Sequence, residues 1–205
     1  RGMNPPLNED TLVQATTADY LQEHLDWESI FAYNNETFGK EGTLGRESDK
    51  EVVLTRYLGE ALVKFNPGLP DVAYQDALRQ ITEAPVTENT LQINYEQYER
   101  VKNGVLVQFR NAKGELEKKR LKVFDFDNPE NNHFLCVREL WVRGDIYRRR
   151  ADIVGFVNGL PLMFIECKTI HKDIRHAYEQ NLSDYKDTIP HLFHHNAFVI
   201  LGNGV

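Results

Sequence analysis

The stretch from Arg150 to Lys168 constrains the fold more than any other part of the chain. On either side of Asn158-Gly159, strands are expected at about Arg150–Val157 and Leu162–Lys168, and these runs carry apolar side chains at odd and even positions alike. A strand with one wet face alternates, so strands apolar on both faces must be covered on both sides. An Asn-Gly pair between two such runs is a hairpin signal. Asp152, Glu166 and Lys168 interrupt the apolar pattern. Charges in a covered sheet are costly unless they are paired or coordinate a metal. Two converging carboxylates invite a divalent cation, and hard oxygen ligands favour Mg²⁺.

Parity decides whether they converge. Glu166 and Lys168 are two apart and share a face. Asp152 and Glu166 are an even distance apart, so a plain two-residue Asn158-Gly159 turn sets Asp152 opposite Ile165 and sends Glu166 to the other face. Convergence requires either a three-residue loop, Asn158-Gly159-Leu160, or a β-bulge.

The rest of the chain fits an α/β domain built on a central mixed sheet. A first helix is expected over Glu9–His24, followed by a loop rich in Asn and Gly from Asn34 to Gly45. Ser48 and Glu51 have capping-box spacing ahead of a helix that shows Leu54, Tyr57, Leu58, Ala61, Leu62 and Phe65 on one face and stops at Asn66-Pro67-Gly68. Tyr74, Ala77, Leu78 and Ile81 mark a third helix, and Leu91, Asn94, Tyr95 and Tyr98 a fourth. Strands are expected at Val105–Arg110 and Leu121–Phe126 around a turn at Asn111–Gly114, then at Phe134–Val142 and across the Asn158 hairpin. Ile174, Ala177, Tyr178, Asn181, Leu182 and Tyr185 recur at helical spacing up to Ile189-Pro190, and Ala197–Leu201 is a last strand. The expectation is one domain, residues 1–100 mainly helical and 101–205 holding the sheet.

Composition narrows the function. Hydrophobic residues make up 41%, enough to fill a core. The net charge of −7 argues against a uniformly basic nucleic-acid coat, but it is unevenly spread: residues 1–100 hold 8 basic and 18 acidic side chains, residues 101–205 hold 16 and 13. A polyanion should therefore meet the second half. Neither a membrane span nor a signal peptide is visible, and two cysteines, Cys136 and Cys167, are too few for a disulfide framework, so a cytoplasmic location is expected.

Asp152 followed by Val157-Asn158-Gly159-Leu160-Pro161-Leu162 and Glu166-Cys167-Lys168 resembles the PD-(D/E)xK nuclease core of the restriction (R) subunit of type I restriction-modification enzymes. Gly45-Arg46-Glu47-Ser48, Phe65-Asn66-Pro67, Phe124-Asp125-Phe126 and Asn131-Asn132-His133-Phe134 extend the resemblance over nearly the whole chain. It implies a restriction-endonuclease-like domain that cuts duplex DNA with Mg²⁺, at the head of a longer chain whose ATP-driven motor lies beyond Val205. The lack of a G-x-x-x-x-G-K-[ST] loop here fits that arrangement. It also implies methylation and specificity subunits as partners. Asp152 and Glu166, with the Cys167 carbonyl, would hold metal, and Lys168 would offset developing charge. The family's Gln-x-x-x-Tyr motif falls on Asn181 and Tyr185, with Gln180 one position early as the other claimant.

Arg148-Arg149-Arg150 offers phosphate contacts, with Arg148 and Arg150 as the DNA-binding candidates. A regularly alternating strand puts Arg150 on Asp152's face and turns Arg149 away. Lys118, Lys119, Arg120 and Lys122 read as a solvated hairpin edge, Glu51 as a cap rather than a third acidic ligand, and His191, His194 and His195 as surface histidines. Two rivals remain: a non-catalytic assembly module of the same complex, and a stand-alone PD-(D/E)xK repair nuclease.

Overall fold

The computed structural model describes residues 9–83, 89–168, 175 and 177–202. Five strands form a mixed sheet in the order β1-β4-β5-β6-β7, made of β1 (Glu28–Phe31), β4 (Phe134–Arg143), β5 (Arg148–Val157), β6 (Leu160–Cys167) and β7 (Phe198–Gly202). β4, β5 and β6 run antiparallel in sequence, while β1 pairs parallel with β4 and β7 parallel with β6. Both faces are covered, as the double-sided apolarity of residues 151–165 requires. On one face Ala18 and Leu21 of α1 (Glu9–Leu25) pack with Cys136, Ile153, Met163 and Ile165. On the other, Leu182, Ile189, Leu192 and Phe193 pack with Val154, Phe156 and Phe164.

A second core joins α2 (Thr55–Phe65), α3 (Asp71–Thr82) and a separate two-stranded sheet of β2 (Val105–Arg110) and β3 (Leu116–Leu121). Val105, Val107 and Phe109 are buried on one face of β2, whereas β3 exposes all but Leu121. The strand expected at 121–126 thus lies five residues earlier. Beyond Leu121 side-chain amides replace ladder partners: Asn66 bonds Lys122 N and O at 2.8 Å each, and Asn132 bonds Asp125 N and O at 2.9 and 2.8 Å. A chain satisfied this way has no need of a neighbouring strand.

Two further expectations are corrected. Ser48 and Glu51 cap no helix; Glu51 accepts from the Glu47 amide at 2.9 Å in a turn, and α2 begins only at Thr55, where the Leu54 amide bonds the Gly159 carbonyl at 2.8 Å. In α4 (Thr90–Asn103) the buried side chains are Ile93 and Gln97, while Leu91, Tyr95 and Tyr98 are exposed. Polar Asn94 also turns inward, because its amide serves the carbonyls of Phe193, His194 and Asn196. The first hundred residues are mainly helical and also lend β1 to the main sheet. The loop from β1 to α2 is held by Arg46, which is buried and donates to both oxygens of Glu36 at 2.6 Å, to Glu51 O and to Trp141 O.

Candidate active site

The β5–β6 hairpin resolves the parity question by a bulge. Asn158 and Gly159 form a two-residue turn with φ of 48° and 80°, the left-handed pair that a tight hairpin needs. Val157 pairs with Leu160 and Phe156 with Pro161, but Gly155 then pairs with Met163, so Leu162 is the extra residue. Pro161, which has no N–H to give a ladder, sits at this irregularity. The shifted register continues through Ile153↔Ile165, and its next step sets Asp152 opposite Glu166. Two contacts anchor the turn: Asn158 bonds Val123, Asn132 and His133, and Gly159 lies so close to Leu54 that a β-carbon would stand 2.3 Å from that carbonyl.

The charged trio therefore converges. Lys168 Nζ donates to Glu166 Oε1 at 2.7 Å, and Asn181 Nδ2 donates to the same oxygen at 3.1 Å. Glu166 is only 2% exposed, yet its Oε2 has no hydrogen-bond partner among the described residues. Asp152 Oδ2 accepts the Cys167 amide at 2.7 Å. Burial, and then the neighbouring Glu166 charge, raise the Asp152 carboxyl well above its ordinary range, against the pull of the Cys167 amide and Lys168. The Cys167 side chain is buried within the sheet.

Asn181 reaches the site because the chain is π-helical from Ala177 to Leu182 before α5 (Ser183–Thr188). The inserted turn breaks the helical spacing read from sequence, leaving Tyr178 exposed while Leu182 enters the core. Gln180 is exposed, and Ile174 lies outside the described residues. Tyr185 donates its hydroxyl to the Arg150 carbonyl at 2.8 Å and packs edge-on against Phe164; burial and the Glu166 charge raise its pKa.

The arginines flank the site, each in an ion pair. Arg148 bonds Asp49 at 2.7 Å and lies over Trp141; Arg149 bonds Asp184 at 2.8 Å; Arg150 bonds Glu139 at 2.5 Å and lies over Tyr33 and Trp141. Arg149 thus turns towards α5 instead of away. Regular alternation fails at Asp152, since Ala151 and Val154, three residues apart, enter the same core cluster. The residue that sequence reasoning missed here is Glu139, 2% exposed, with φ of +58°. That backbone costs an L-residue about 1–2 kcal/mol. A lone acid in the apolar strand 134–142 was the signal, the same one that singled out Asp152.

The basic run Lys118–Lys122 is exposed but for Leu121, as expected of a solvated edge. The histidines are not surface residues: His195 is buried and His191 and His194 half-buried, around a cavity of about 280 Å³ shared with Glu51 and Gln97. Loss of hydration holds all three below their usual pKa, His195 at about 4. Among the described residues no three His, Cys, Asp or Glu side chains gather as a metal site. The donor set at the hairpin is instead two carboxylates, a hard-oxygen set in which one oxygen of Glu166 has no partner among the described residues, which fits Mg²⁺ completed by water.

Comparison with known proteins gives the family. The family description "Type I restriction enzyme R protein N terminus" matches residues 6–205. The type I restriction enzyme HindI endonuclease subunit of Haemophilus influenzae is 32% identical over 203 residues, 97% of this chain and 19% of that protein. A Methanocaldococcus jannaschii protein named "Putative type I restriction enzyme MjaIXP endonuclease subunit" is 26% identical over 165 residues, 78% of this chain and 16% of that protein. The chain thus spans about a fifth of the length of the curated relatives it matches. A mixed sheet covered on both faces, a bulged hairpin carrying Asp152, Glu166 and Lys168, and a family match over nearly every residue lead to one conclusion: the chain belongs to the N-terminal family of type I restriction enzyme R proteins.

Proposed function

We propose that this chain is the Mg²⁺-dependent nuclease domain of a type I restriction R subunit, cutting duplex DNA within an assembly that also holds methylation and specificity subunits and an ATP-driven motor. The observation that carries the reading is Glu166: a buried carboxylate opposite Asp152, with one oxygen held by Lys168 and Asn181 and the other unpartnered among the described residues. An orphaned buried carboxylate oxygen is costly and is satisfied by a cation. Asp152 and Glu166, with the Cys167 carbonyl, would hold Mg²⁺, which supplies an acidified water and charge neutralisation when bound.

The remaining chemistry belongs to the chain. Lys168 places a positive charge beside Glu166, where it can offset the charge that grows on a phosphodiester during attack. Asn181 fixes the Glu166 carboxylate in rotation, and Tyr185 holds β5 through the Arg150 carbonyl. Arg148 and Arg150, each partly exposed, would offer DNA phosphates the guanidinium N–H groups that their carboxylate partners leave open.

The test is a plasmid-cleavage and ATPase assay on the full assembly. Asp152→Ala, Glu166→Ala and Lys168→Ala should each lower cleavage by at least about 10²–10³-fold, the usual cost of a lost electrostatic group, with ATPase intact. Folded variants that still cut DNA place the active site elsewhere. Joint loss of cleavage and ATPase favours the assembly-module reading.

A further inference from the structure

Glu139 is a poor choice for the fold alone. Its left-handed backbone suits Gly or Asn, its side chain is buried, and its charge adds a third carboxylate to the vicinity of Asp152 and Glu166. In the β4–β5 register the flanking pairs Arg138↔Ile153 and Leu140↔Ala151 set it directly across from Asp152. The pleat breaks in both strands at that point: Val137 and Leu140 enter one core cluster, as do Ala151 and Val154, although residues three apart on a regular strand face opposite ways. Beyond the break the Asp152 carboxylate accepts the Cys167 amide of the next strand. The segment between is pinned twice, through the Arg150 guanidinium on Glu139 and through the Arg150 carbonyl under the Tyr185 hydroxyl.

We propose that Glu139 is a positioning residue: by breaking the pleat and bracing Arg150, it aims the Asp152 carboxylate at the Cys167 amide and the cation site. The inference rests on the nuclease reading for its purpose, but its geometry can be tested apart from any metal. Arg150 then keeps its strut on Glu139 with DNA bound, and its exposed edge leaves further guanidinium N–H groups for a phosphate.

The experiment uses the full-length R subunit with Glu139→Gly and Glu139→Asn, both tolerant of the left-handed backbone but unable to brace Arg150, and Glu139→Gln, which keeps an oxygen at the same reach. Hydrogen–deuterium exchange of the β6 peptide ending at Cys167, without divalent cation, reads the Asp152 contact. Calorimetric titration with Mn²⁺ reads the site. Gly and Asn should speed exchange at Cys167 and weaken Mn²⁺ about 10–100-fold, the range for groups that orient a metal ligand. Exchange in β1 and β7 should stay at wild-type rates, and Gln should restore both readouts to within a few-fold. Wild-type exchange at Cys167 in the Gly and Asn variants overturns the proposal, as does a general rise across the sheet, which marks a merely structural residue. If wild type and Asp152→Ala bind Mn²⁺ equally, the metal-dependent reading fails, and the Cys167 exchange still decides the positioning role.

Discussion

Asn158 should be the most sensitive uncharged position near the site. It is 1% exposed, and its side chain makes three hydrogen bonds: Oδ1 accepts from His133 N at 2.8 Å, and Nδ2 donates to Val123 O at 2.9 Å and Asn132 Oδ1 at 2.8 Å. Asn158→Ala leaves two main-chain groups, His133 N–H and the buried Val123 carbonyl, without these partners. At about 1–3 kcal/mol for each buried unsatisfied group, the cost is roughly 2–6 kcal/mol, with a further few tenths because Ala tolerates φ of +48° less well than Asn. That is a large part of the ~5–15 kcal/mol that holds an ordinary domain. Asn158→Gly should recover only the backbone share. Asn158→Asp should do no better than Ala, because it points an acceptor at the Val123 and Asn132 oxygens. In hydrogen exchange the protection of the β4–β6 peptides should fall by roughly 30-fold to 2 × 10⁴-fold for Ala, at ~1.4 kcal/mol per factor of ten. A change below about tenfold would show that water or relaxation replaces these bonds, and the accounting would be wrong.

Two pH-dependent predictions follow from buried ionisable groups. His195 has its pKa lowered from 6.5 to about 4, so the unfolded chain takes up a proton in that window and the fold does not. Its stabilisation is therefore complete above pH 6.5 and lost as pH falls towards 4, by roughly 3 kcal/mol at most, and His195→Phe should flatten the pH dependence of the urea midpoint between those values. Asp152 is the opposite case: its pKa is raised, so its contribution is present at low pH and lost as pH rises through the raised value. Asp152→Asn, which keeps an oxygen for the Cys167 amide, should then melt higher than wild type above neutral pH without divalent cation. Added Mg²⁺ should raise the melting temperature of wild type and leave that of the variant unchanged; equal shifts would remove Asp152 from the cation site.

The covered sheet was legible because apolarity on both faces of residues 151–165 leaves one arrangement open, and Asn158-Gly159 marked the hairpin between its strands. Parity arithmetic stated correctly that a plain two-residue turn could not pair Asp152 with Glu166. It could not choose between a longer loop and the bulge at Leu162, which depends on how Gly159 docks against Leu54 and how Pro161 withholds an N–H. The pleat break at Glu139 was beyond it, since parity presumes regular strands. Where side chains substitute for backbone, as Asn66 and Asn132 do after Leu121, residue-by-residue strand propensity misplaces the element. The exposed face of α4 failed for a related reason: the carbonyls of residues 193–196 attract Asn94, and a polar demand set the rotation of the helix.

The charge asymmetry needs a different reading once the pairs are known. Counting put the basic surplus in residues 101–205, and the arginines beside Asp152 do come from there. Yet Asp49, from the acidic first hundred, is shared by Arg143 and Arg148, while Glu139 holds Arg150 and Asp184 holds Arg149. Four cations thus face three anions beside the carboxylate pair. Such a rim attracts a polyanion only weakly at long range. It can still bind one closely: the Arg149–Asp184 pair, partly exposed on both sides, contributes ~0–1 kcal/mol and can exchange its carboxylate for a phosphate at little net cost, while Arg148 and Arg150 keep their buried carboxylates and offer a phosphate their remaining N–H groups. Under the proposed function, weak attraction with exchangeable contacts suits a nuclease whose substrate is delivered by a motor, since encounter does not then depend on the domain's own field.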